Sequence, residues 1–467
     1  MSKRLRYIAL VILAACLLVS SGLAAQDVVY TGCIRSADGS LYNVRQGTSP
    51  MAPCRAKDNQ ISWNMVGPQG PQGPPGAPPP SLLEVSVNCD EGQSINEALA
   101  ATSMELVVEV QGVCAEYVRI TRDNVTLRGV GSGARIDGAS LPEPKEPGIL
   151  VSGATGVAIE NLLVQHTHRG IDILLGSGVT LTNMVVQDTI SNGVRVLGSA
   201  VEITDLTVQR QYIGIWIGEG AHAVVNGGTV LTKENVLTGL VISGGTLGFL
   251  SAGGTIESRD NGLRGITFQF GAAAQLAAGV ETLVVTTGNG HAGVGVYGAM
   301  VSIQQLESTG NRYGIYVDGP SSVGITGTIA DNTDFGVWCR DGGLVSLAST
   351  TVSNNRFGIR AGSDCRARLS GVTVQGNSQH GMRLDGATAA IANTTIAGNT
   401  GTDVVLEFGS RVSFDGGNTV GTVRCDGTQL IRGDVSCTSV SVVSSAAEGT
   451  DAEPAMVMPD VLEVPDP

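Results

Sequence analysis

Aromatic residues make up only 4 % of this 467-residue chain, lysine is almost absent, and histidine occurs five times. With 65 glycines beside them, these shortages argue against a helical protein and for short strands broken by many turns. Positive charge is also scarce: the net charge is −14, and more negative if Lys3, Arg4 and Arg6 leave with the N-terminus. Such a chain has no electrostatic footprint for nucleic acid, which is excluded as a partner. Beyond the first 25 residues no run is long and apolar enough to cross a bilayer. Phosphate-binding loops and nucleophile elbows are missing. The histidines are scattered, and His166 and His168 share one turn with no acid cluster nearby in sequence. No metal site and no cofactor are expected.

What is present begins with an export signal over residues 1–25. "MSKRLR" is basic, Tyr7 to Val19 is apolar, and "GLAAQ" offers small residues for cleavage. A competing reading takes "LAAC" as a lipobox that would leave Cys16 lipidated; secretion is the preferred expectation. Eight further cysteines, an even number, suit an oxidising compartment. Neighbours in sequence suggest Cys33–Cys54, Cys89–Cys114 and Cys425–Cys437, which leaves Cys339 with Cys365. That last pair is awkward. In extended strand the two would lie about 13 Å apart plus one rung, so they bridge only if "AGSD" turns sharply.

Residues 26–66 read as a small cystine-closed module of strands around an "ADGS" turn. In 67–80, Gly67, Gly70, Gly73 and Gly76 fall at every third position, the spacing of a collagen-type repeat. Four triplets are few, so this segment reads as a stiff spacer, with a homotrimer as the other reading. Together the module and the Gly-Pro stretch resemble the N-terminal ends of some bacterial surface proteins with collagen-like segments. The tail, 438–467, is acidic, carries proline and lacks lysine and arginine, and disorder is expected there.

The main body, 81–437, opens with "GQSINEALA". Ser94 and Glu97 form a capping box before a short amphipathic helix. A repeat then takes over. Its Gly–apolar–x–apolar unit places glycine at 148, 170, 193, 214, 239, 265, 293, 314, 336, 358 and 381. Most steps are 21 to 23 residues; the three from Gly214 to Gly293 are longer. Two more apolar alternations follow each glycine strand, such as "VEIT" and "LTVQ". Three short strands per period with no helix exclude a βαβ fold and point to a solenoid. The repeat and the capped entry resemble right-handed parallel β-helix proteins of the pectin-lyase-like superfamily, over residues 82–437. The fold class implied is all-β, a three-sheet parallel β-helix. The superfamily mixes lyases, hydrolases, epimerases, tailspikes, adhesins and scaffolds, so it does not fix a function.

Asparagine stands four residues before the glycine at Asn235, Asn261, Asn289, Asn332, Asn354 and Asn377, and Asn399 stands likewise before Asp403. A residue repeated on every rung reads as a turn and amide ladder, not as a catalyst. Tyr313, Phe335, Phe357 and His380, each just before its glycine, read as a packing column. The superfamily's lyases need a basic residue, often with acid-bound calcium, and its hydrolases need paired carboxylates. "NTD" at 332–334 resembles one polygalacturonase motif, but the motif's companions are absent and "NGHAG" around His291 is only a partial match. No catalytic residue is assigned.

The variable x remains. Alternation turns it outward, and its series is Leu150, Asp172, Arg195, Trp216, Val241, Thr267, Gly295, Tyr316, Trp338, Arg360, Arg383 and Val405. Tyr316, Trp338, Arg360 and Arg383 make one expected ligand strip; Asp172, Arg195 and Trp216 make another. Exposed aromatics beside arginine suit an acidic glycan. The plainer reading is surface packing with cation–π contacts. The sequence thus points to a secreted or cell-surface scaffold binding polysaccharide or a surface partner, with a lyase-type enzyme as the alternative.

Overall fold

A computed structural model describes residues 29–64, 82–142, 145–249, 253–276 and 282–440. The chain divides into two compact units, up to Pro79 and from Pro80 onward. The export signal, Cys16, the Gly-Pro segment and the acidic tail beyond Val440 lie outside the described residues; the start of the tail, expected to be disordered from 438, instead adds the short strand Ser439–Val440.

In the first unit Val29–Ile34 is the central strand of an antiparallel sheet, flanked by Leu41–Gln46 and Asn59–Asn64. Alternation turns Thr31 and Cys33 to one face, where both are buried. The loop after Gln46 covers that face, tied by Cys33–Cys54 and by Thr31 Oγ1 donating to the Gly47 carbonyl at 2.6 Å.

The second unit is a parallel β-solenoid, nearly all strand. A short helix, Ile95–Leu99, stands at its entry with Ser94 as N-cap, whose side chain accepts from Glu97 N. The first turn has a further acceptor from elsewhere in the chain: the Glu116 carboxylate takes the Ile95 and Asn96 N–H groups and the Ser94 hydroxyl. Cys89–Cys114 staples this end and Cys425–Cys437 the other.

Every glycine strand joins one 15-stranded parallel sheet, here called the glycine sheet. The other two strands of each rung build two further sheets that merge along a corner. In some rungs one long strand crosses that corner, as in Gly178–Gln187 and Ala200–Gln209; elsewhere it breaks in two, as in His222–Val225 and Thr229–Lys233. The crossing is made by residues in left-handed backbone, such as Asn183 and Asp205, side chains that tolerate it. Inward residues stack by kind, from Ile171 through Ile215 and Ile266 to Val404, all essentially without solvent exposure. About 25 cal/mol per Å² of apolar surface buried along these stacks is the main force closing the coil.

The amide ladder runs inside the corner before the glycine sheet. Asn235, Asn261, Asn289, Asn311, Asn332, Asn355, Asn377 and Asn399 each pass Nδ2 to the next residue's oxygen over 2.8–3.2 Å. Asp403 closes it, accepting from Asn399 N and Nδ2 on one oxygen and from Thr422 N and Oγ1 on the other. Asn354, one of the sequence-derived positions, is not a member: it takes a left-handed turn (φ 57°) and Asn355 stands in the ladder instead.

Cys339 and Cys365 are bridged, with Cα atoms 6.2 Å apart. The required sharp turn is there: Cys365 N donates to Gly362 O, and Gly362 N to Cys339 O.

Candidate functional site

The x residues form one unbroken column. Paired Cα positions run Leu150, Asp172, Arg195, Trp216, Val241, Thr267 and on through Gly295, Tyr316, Trp338, Arg360, Arg383 and Val405 to Arg424. The period of the glycines sets this register, because each rung must present the same position to its neighbour.

Exposure differs from expectation. Tyr316 is 2 % exposed and Trp338 6 %, so they are not an open platform for sugar rings. The reason is lateral packing outside the coil. Tyr313, Tyr316, Phe335 and Trp338, with Ala292, form a hydrophobic cluster separate from the interior, flanked by Tyr297 and Phe357. Tyr316 meets Trp338 edge-on at 5.3 Å, and Phe335 stacks on Trp338 at 5.0 Å and on Phe357 at 4.9 Å. The column expected from Tyr313, Phe335, Phe357 and His380 is present, and it leans into the x column, so two rows read as separate are one cluster.

Arginines sheathe this cluster. Arg312 lies over Tyr313 at 4.9 Å, Arg356 over Phe357 at 5.1 Å and Arg340 over Trp338 at 5.5 Å. Arg360 reaches both Phe335 and Trp338. Carboxylates tie the arginines: Asp334 lies between Arg312 and Arg356, and Asp385 accepts from Arg360 and Arg383. Glu407 accepts from Arg383 and Arg424. Tyr316 Oη donates to Asp318 Oδ2 and accepts from Arg340. Burial raises the Asp318 carboxyl above its ordinary range, against the pull of the Arg340 charge.

On the lower strip Asp172, 2 % exposed, holds a bidentate pair with Arg195 at 3.1 and 2.7 Å and a second contact from Arg169. Arg195 and Trp216 are half-buried on adjacent rungs. The two strips are parts of one column but do not meet; Val241, Thr267 and Gly295 separate them.

The sequence reading missed Arg312, Arg340 and Arg356. Arg312 and Arg356 stand two before the glycine in "NRYG" and "NRFG", a turn position whose side chain lies over the ring of the residue that follows it. Arg340 directly follows the strand ending at Cys339. It also missed an acid beside His166: the chain brings Asp137 from the previous rung to 2.8 Å from His166 Nδ1. Among the described residues no three His, Cys, Asp or Glu side chains converge on a metal-sized space. A shallow groove of about 520 Å³ crosses a neighbouring sheet beside His222, Gly248, Gln275, Met300 and Ser322; Asp, Glu, Lys and Arg are absent from its lining.

A family model described as a right handed beta helix region matches residues 284–441, and the all-β parallel β-helix expected from the repeat is the fold found. No curated protein matches the sequence. Similar solved structures include the A-module of mannuronan C-5 epimerase AlgE4 from Azotobacter vinelandii, 14 % identical over 75 % of this chain and 94 % of that one, TM-score 0.38. The catalytic domain of a GH87 α-1,3-glucanase in complex with tetrasaccharides is 12 % identical over 89 % of both chains, TM-score 0.35. The Siphovirus 9NA tailspike receptor binding domain is 10 % identical over 79 % of this chain and 78 % of that one, TM-score 0.33.

Proposed function

We propose that this protein is a secreted or cell-surface scaffold that binds an acidic polysaccharide, without cleaving it, along the outer face of the glycine sheet. One observation carries the reading: Arg312, Arg340, Arg356 and Arg360 display guanidinium groups over a rigid aromatic bed. A guanidinium forks a carboxylate or sulfate, and rungs about 4.8 Å apart offer such forks in a row. Tyr316 and Trp338 then serve as the bed that fixes the arginines, while Arg383 extends the row. Arg195 and Trp216 offer a second, smaller contact with Asp172 as the anchor of Arg195.

The acids on and beside the column support a binding role over proton transfer. Asp172, Asp385 and Glu407 each face two arginines, which suits ties between rungs. Four disulfides fit an oxidising compartment. The test is to incubate the purified chain with polygalacturonate and with alginate, following both retention on the immobilised polymer and ultraviolet absorbance of unsaturated products. Retention with flat absorbance and unchanged polymer length is expected. Chain shortening or rising absorbance would overturn the non-catalytic reading.

A further inference from the structure

Within its own unit the N-terminal sheet leaves one face uncovered, and that face is mainly apolar. Its opposite face is closed by the chain's own loop and the Cys33–Cys54 bridge. On the open side stand Tyr30, Ile34, Leu41, Val44, Ile61 and Trp63, with the uncharged Gln46 and Asn59 at its margins. They share this side because Gly32, at its centre, points toward Val44 Cγ2 and Trp63 Cη2, and because Tyr30 stacks with Trp63. Leu41 is 51 % exposed, Val44 39 % and Trp63 36 %. An antiparallel sheet solvated on one side ordinarily puts polar residues there. A contiguous apolar patch on so small a unit marks a contact surface.

We propose that this face is the interface between three copies of this chain. The sequence following Trp63 indicates the number. Gly67, Gly70, Gly73 and Gly76 keep the every-third-residue spacing that serves to bring three chains onto one axis. Four triplets offer too little contact to hold three chains unaided, so a trimer needs an adjoining surface. The apolar face lies four residues upstream of the first of these glycines and carries no charge that copies of an acidic chain would have to oppose. The proposal is independent of glycan binding, since none of its residues belongs to the glycine sheet.

The experiment is sedimentation velocity with light scattering on the full chain. The expected mass is three times that of the monomer. Leu41→Glu with Val44→Glu is expected to give monomer, whereas Arg45→Glu, from the neighbouring register position on the same strand, leaves the trimer intact. Circular dichroism and the count of free thiols confirm that each variant is folded. Should the glutamates unfold the module, Val44→Thr keeps the shape and is expected to raise the trimer's dissociation midpoint at least tenfold in concentration. A wild-type monomer or dimer overturns the proposal, as does a trimer indifferent to the folded face variants.

Discussion

From Asn261 onward, each asparagine of the ladder supplies one oxygen that takes two N–H bonds from the rung before, one from backbone and one from the side-chain amide. Removing a member therefore strands a donor in a dry corner. Asn355→Ala should cost about 1–3 kcal/mol, the cost of a buried donor without an acceptor, since Asn332 N loses its partner while Asn332 Nδ2 keeps Ser308 O and Ala330 O. Asn354→Gly, next to it but in a left-handed turn, should change stability by less than about 1 kcal/mol; denaturant midpoints of the two variants decide. Asp403, the last acceptor, titrates below the ordinary carboxylate range: burial works against this, but the bonds from Asn399 and Thr422 outweigh it. Its contribution should be whole above about pH 4 and fade as pH falls through the lowered value. The stability gap between wild type and Asp403→Asn should thus narrow in acid, and a gap constant from pH 7 to pH 3 would refute this. At this scale the sequence was legible as a repeat of asparagine and glycine. It was not legible which of Asn354 and Asn355 belongs to the ladder, because a one-residue difference in turn length is decided by backbone conformation.

At the scale of elements, the glycine and the asparagine of successive rungs are one device. A Cβ on Gly336 would lie 2.7 Å from the Gly358 carbonyl and 2.8 Å from Asn355 Nδ2, and Gly358 stands in the same relation to Asn377. Gly336→Ala should therefore destabilise by about 1–3 kcal/mol through overpacking, read as a lowered thermal midpoint. The Cys339–Cys365 bridge joins the end of one glycine strand to the turn after the next. Replacing both by serine should cost about 2–4 kcal/mol and make that region the first to exchange backbone hydrogens. The three-strand rung was readable because its apolar alternation recurs at a fixed period. The closing turn at Gly362–Cys365 was not, since extended spacing says nothing of where a loop folds back.

For the whole molecule, a solenoid copies one position into a line, so a surface property becomes a linear array matched to a linear ligand. The column of x residues was legible in full, from Leu150 to Val405, since register follows from the period alone. Its exposure was not: whether Tyr316 faces solvent depends on Tyr313, Phe335 and Trp338 packing sideways outside the coil, a contact between rows that alternation along one strand cannot reveal. This shifts the proposed contact from the rings to the arginines above them. Arg312 and Arg356 are about half-exposed, so replacing them should leave the fold intact. The most direct measurement is titration of polygalacturonate into wild type and into the Arg312→Ala, Arg356→Ala double variant, at low and high salt. The account predicts binding that weakens with salt and falls at least tenfold in the variant. Equal affinity in both proteins, or equal binding of a neutral dextran, would contradict it.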